Sequence, residues 1–190
     1  VASQFGKVRV GTPDMDLDCG PVMNGKQQRL VQGFRTEAIE SGIQLLAEGS
    51  FADGLDQNGF WVQPALFGNV PRDHRLACDE VFGPVLTAIP FDDEADAIKL
   101  ANATEYGLVG SVWTKDGDRQ QRVAKRMNCG QIFINNYGAG GGVELPFGGM
   151  KKREGFCRVG ALHNDENHRA SSWVVMNSLL MLLEGVRYRS

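Results

Sequence analysis

Cys19, Cys78, Cys129 and Cys157 are the side chains best suited to nucleophilic or redox chemistry in this 190-residue chain. They lie far apart with no Cys-x-x-Cys pair, so their spacing suggests neither a disulfide framework nor a zinc site, and reduced thiols are expected. A cysteine attacks a carbonyl only as its thiolate, and that form needs a cation or histidine close by. Cys129 stands at a turn, where a small residue is ordinary. Cys157 follows Lys151-Lys152-Arg153, a run that reads most simply as a solvated basic face. No catalytic residue and no metal ligand is therefore assigned. Gly138 to Gly142 hold glycine at every position but Ala139. Such a cluster can cradle phosphate when a helix begins directly after it, but Leu145-Pro146-Phe147 follows here and points to a surface loop.

Apolar residues make up 42% of the chain and charged residues 23%, which suits a folded domain and argues against a disordered or coiled-coil chain. Lysine and arginine total 20 against 23 acids, a formal charge of -3, so there is no basic field to attract nucleic acid. The longest apolar run, Leu179 to Leu183, falls far short of the roughly 20 residues that span a bilayer. The first residues show no charged-then-apolar signal pattern, so a cytoplasmic protein with no membrane partner is expected. Glycine, at 24 residues, is nearly twice its usual share of about 7% and implies many tight connections.

The elements that must position any site follow from periodicity. Leu30, Val31, Phe34 and Ala38 share one side of a helix predicted from Asn24 to Ser41. Gly42 stops it, and Ile43 to Ala47 reads as a short buried strand. Phe60 to Phe67 contains Pro64, which predicts an edge strand or two broken ones rather than a central strand. From Val85 to Asn136 strand and helix alternate. The strands are Val85 to Phe91, Leu108 to Thr114 and Gln131 to Asn135; the helices are capped by Asp92 or Asp93 and by Asp116. The first helix runs to about Asn102 with Ile98 and Ala101 inward, and the second carries Val123, Ala124 and Met127. This βαβαβ order predicts an α/β fold, a parallel sheet covered by helices. Ser171 to Asn177 holds a further strand with no local partner, which must pair with something distant or with another subunit.

Several segments follow one another in order: Gly20-Pro21-Val22-Met23 with Gln27, Asp79-Glu80-Val81-Phe82-Gly83-Pro84-Val85, and Ala101-Asn102 with Glu105-Tyr106-Gly107-Leu108. Ile134-Asn135-Asn136-Tyr137 and Pro146-Phe147-Gly148-Gly149-Met150-Lys151 come next. Together they resemble the C-terminal part of the catalytic domain of NAD(P)-dependent aldehyde dehydrogenases, over roughly Val10 to Ala161. The resemblance implies that Glu80 binds the nicotinamide ribose hydroxyls, a role suited to a carboxylate because it offers only acceptors. It implies that Phe82 lies beside the nicotinamide ring, that Gln27 reaches the cofactor, and that Phe147 and Tyr137 line the aldehyde tunnel. NAD or NADP serves the intact family; none is expected to bind this chain alone.

In that family the nucleophilic cysteine, the base glutamate, the oxyanion donor and the dinucleotide domain precede the matching part. The resemblance therefore implies that Cys19 is not the nucleophile. Cys157 replaces a glycine of the family's Gly-aromatic-Gly-Arg stretch, and Val159 stands where an acid is usual. Three segments follow: a partial catalytic domain at 1–160, an oligomerisation-type strand segment at 161–177, and an unmatched tail at 178–190. The expected function is that of an aldehyde dehydrogenase part inactive by itself. The alternative is a non-catalytic oligomerisation module. On either reading the chain is expected to associate, as a homo-oligomer or with a missing N-terminal half.

Overall fold

The computed structural model of the chain describes residues 1–136 and 148–151, and the backbone of 174–178. In chain order its elements are α1 (Ala2–Phe5), β1 (Arg9–Val10), α2 (Gly25–Glu40), β2 (Gln44–Glu48), β3 (Ser50–Phe51), β4 (Ala65–Gly68) and α3 (Arg75–Cys78). Then come β5 (Val85–Thr87), α4 (Glu94–Ala101), β6 (Val109–Val112), α5 (Gly117–Arg126), β7 (Gln131–Asn136) and β8 (Val174–Ser178). They form two compact units, Val1–Pro90 and Phe91–Ser190.

Helix α2 organises the first unit. The Asn24 side chain accepts a hydrogen bond from the Gln27 amide at 2.9 Å and caps the helix, a contact worth about 1 kcal/mol. Val31, Phe34 and Ala38 are buried against Ile43, Val62, Phe67 and Val81. Burial of Phe34 alone is worth about 2 kcal/mol. Leu30, expected on this inner side, is 42% exposed, because the buried stripe drifts toward Gln27 and away from it.

The sheet of this unit has the order β2-β4-β5, with β4 antiparallel to β2 and parallel to β5. Here the structure corrects the expectation of an edge strand: β4 is central, and all four of its residues are buried. Pro64 immediately precedes the first strand residue, so it removes no hydrogen bond from the ladder. A short parallel ladder joins β1 to β3, and Cys19 bridges Val10 beside it.

In the second unit β6, β7 and β8 form a parallel sheet, and α5 connects β6 to β7. Asp93 caps α4 and Asp116 caps α5, each accepting from the amide three residues on. Ala97, Val112, Val123, Ala124, Met127, Ile132 and Ile134 make a separate core. The predicted continuous βαβαβ sheet is divided here, because β5 pairs with β4 and not with β6. The α/β class with parallel strands stands. The predicted late strand finds its partner on the same chain, with Ile132 in register with Val174. Among the described residues no helix is long and apolar enough to cross a membrane.

Candidate functional site

The loop between α3 and β5 carries the first group of predicted site residues. Its entry is tied down by Arg75, whose Nε donates to Asp79 Oδ2 at 3.1 Å while Nη1 donates to Glu37 Oε2 on α2 at 3.2 Å. The same guanidinium lies 4.1 Å from the centre of the Phe34 ring. Val81 is buried in the first core, whereas Glu80 and Phe82 on either side of it are exposed, Phe82 by 71%. Phe82 thus presents an apolar face outward from an anchored loop.

Two residues one turn apart on α2 fix the rest of the loop. Gln27 Nε2 donates to the carbonyls of Val81 at 3.1 Å and Phe82 at 3.0 Å. Val31 packs on Gly83, where a Cβ would lie 2.6 Å from Cγ2. Phe82 itself has φ +53°, the left-handed region that bulky residues rarely enter. The structure thus brings Gln27 and Phe82 into one cluster with the Glu80 loop. A carboxylate and an aromatic face on the same fixed loop suit a ligand with hydroxyl donors next to a flat ring. Tyr137 and Phe147, the predicted tunnel residues, lie outside the described residues, as do Gly138 to Gly142, Cys157 and Val159.

The second unit holds a polar framework that sequence reasoning missed. The Asn102 side chain accepts from the Asn128 amide at 2.7 Å and donates to the Arg126 carbonyl at 2.8 Å, joining the ends of α4 and α5. Lys151 Nζ donates to the carbonyls of Asn102 at 3.2 Å and Thr104 at 2.9 Å. Lys151 is therefore no solvated residue: it is half-buried and neutralises the carbonyl end of α4. No sequence signal points to it, because the carbonyls it meets lie 49 and 47 residues earlier in the chain. Asn135 does for β7 what backbone does elsewhere, accepting from the Thr114 amide and donating to its carbonyl, both at 3.0 Å. Gly130 abuts the Gly148 backbone so closely that a Cβ would collide with it.

Three of the four cysteines, Cys19, Cys78 and Cys129, lie among the described residues. Burial first and the Asp18 carboxylate second hold the Cys19 thiol above the usual cysteine range. Cys78 ends α3 and its Sγ approaches the Arg72 carbonyl at 3.4 Å. Cys129 packs half-buried against the second core.

The model of the aldehyde dehydrogenase family matches residues 1–160. The chain belongs to the aldehyde dehydrogenase family. Among aldehyde dehydrogenases, a betaine aldehyde dehydrogenase of Rhizobium leguminosarum is 37% identical over 154 residues, which is 80% of this chain and 31% of that protein. A crystal structure from Burkholderia cenocepacia, of a protein assigned as an aldehyde dehydrogenase, superposes with a TM-score of 0.76 at 54% identity. It is covered over 32% of its length, against 79% of this chain. The Mycobacterium tuberculosis aldehyde dehydrogenase complexed with NAD+ gives a TM-score of 0.71 at 39% identity, covering 78% of this chain and 30% of that one. The chain thus spans about a third of the aldehyde dehydrogenases it matches.

Proposed function

We propose that this chain contributes the nicotinamide-ribose clamp and part of the aldehyde tunnel to an NAD(P)-dependent aldehyde dehydrogenase, and that these 190 residues do not turn over aldehyde by themselves. The observation that carries the first part is the exposed Glu80 and Phe82 on a loop anchored by Arg75, Gln27 and Val31. A bound nicotinamide would supply the hydride acceptor for aldehyde oxidation. The protein side of that step is orientation. Glu80 accepts from the ribose hydroxyls, and Phe82 offers an apolar face that limits how the ring can lie.

The second part rests on the thiols. Oxidation in this family begins with attack by a thiolate from a cysteine that precedes the part resembled here; of the described thiols, Cys19 is shifted upward by burial and Asp18, Cys78 ends α3 and Cys129 packs against the second core. Tyr137 and Phe147 remain the proposed tunnel residues, with a cytoplasmic location in keeping with reduced thiols.

The test is NAD(P)H production from a panel of aldehydes by this chain, with and without co-expressed upstream sequence. Production is expected only with the upstream part, and there Glu80→Gln should raise KM for the cofactor about ten-fold, the loss of one charged hydrogen bond. Turnover by the lone chain that survives Glu80→Gln yet is abolished by Cys129→Ser or Cys157→Ser would overturn the proposal.

A further inference from the structure

Gln27 was expected to reach a cofactor, yet its amide nitrogen is already engaged. Nε2 carries two protons, and both find acceptors in the successive carbonyls of Val81 and Phe82, at 3.1 and 3.0 Å. The orientation of the amide is chemically forced, since a carbonyl oxygen can only accept and Oε1 cannot take the place of Nε2 there. Those two carbonyls belong to the peptide planes before and after Phe82, so the backbone angles of Phe82 alone set their mutual direction. In extended chain successive carbonyls point oppositely, and one nitrogen could not reach both. Phe82 instead has φ +53°, both carbonyls face Gln27 on α2, and the residue is 71% exposed. A bulky residue does not hold this conformation unaided.

We propose that Gln27 is a positioning residue, a clamp whose amide protons hold Phe82 in its left-handed conformation and thereby fix the outward presentation of Phe82 and of Glu80 two residues before it. The relevance to cofactor rests on the reading of Glu80 and Phe82 given above; the clamp itself does not. It follows that Gln27 retains only Oε1, an acceptor, for any ligand, so that with Glu80 it favours a ligand donating through hydroxyls.

The full chain, isotopically labelled, tests this without any cofactor. A residue with positive φ shows a short distance between its own amide proton and Hα, and hence an intense cross-peak between them. In the unmodified chain Phe82 is expected to show it, and Gln27→Met, of matching length but with no donor, should remove it. The same substitution should speed hydrogen exchange at the Val85 amide, which donates to the Gly83 carbonyl of this loop at 2.7 Å, on the order of ten-fold. Exchange at Phe34 and Phe67 in the core should stay unchanged. Gln27→Glu, whose carboxylate at neutral pH would face two carbonyl oxygens, should loosen the loop more than Gln27→Met does. A Phe82 cross-peak and loop exchange unaltered in Gln27→Met would overturn the clamp. So would an equal acceleration across the core, which would make Gln27 a general packing residue. If the clamp holds but Glu80→Gln leaves the cofactor KM untouched in the joined enzyme, the ribose reading fails and the clamp survives.

Discussion

Gly83 rests its Cα against the side chain of Val31, and a Cβ there would lie 2.6 Å from Cγ2 and 2.9 Å from Cγ1. Val31 is fully buried on α2 and one turn beyond Gln27, so the helix has no room to retreat. Gly83→Ala should therefore cost about 1–3 kcal/mol by overpacking, read from urea denaturation. Adding Val31→Ala should restore part of the loss, the double variant losing less than the sum of the two singles. Strict additivity would mean that this contact is not why glycine stands there.

Lys151 joins the Gly-Gly-Met-Lys segment to the end of α4 through two carbonyls. Replacing it by methionine keeps the apolar stem and deletes the charge, with an expected loss of about 1–2 kcal/mol. The measurement is the denaturation midpoint together with amide exchange in the last turn of α4. Unchanged exchange there would show that the lysine does not cap the helix. Arginine should restore little, because its planar fork does not reproduce a compact ammonium between two carbonyls.

Acid should weaken the second unit through two carboxylates, the half-buried Glu94 and the exposed Asp116. A hydrogen bond from Arg122 is the main cause that lowers the Glu94 pKa, and the Arg119 amide is the main cause at Asp116. Both groups thus have a lower pKa folded than unfolded, so their stabilisation is present above the ordinary carboxylate range and is lost as pH falls through the folded values. Asp116→Asn keeps an acceptor for the cap but cannot titrate, and it should flatten the fall in melting temperature below about pH 4. A pH profile identical to the parent chain would refute this assignment.

The Cys19 thiol should alkylate slowly. Burial and the neighbouring Asp18 raise its pKa, so at pH 7.5 less of it is thiolate than in a short peptide. Mass-spectrometric labelling with iodoacetamide should show Cys19 trailing such a peptide, with Asp18→Asn accelerating it modestly. Labelling faster than the peptide would reopen Cys19 as a candidate nucleophile.

Helix α2, both aspartate-capped helices and the α/β class are legible in the sequence, because caps and 3.6-residue periodicity are local properties of the chain. So is the family, since its motifs are runs of neighbouring residues. Strand partnership is not. Whether β5 hydrogen-bonds β4 or β6 depends on which backbone edges meet, and Pro64 looked disqualifying until its place just outside β4 was known. The roles of Gln27 and Lys151 were equally hidden, since each acts on carbonyls roughly 50 residues away, and backbone acceptors are the same at every position in a sequence. Side-chain identity determined what these residues could donate; only the tertiary fold decided to whom.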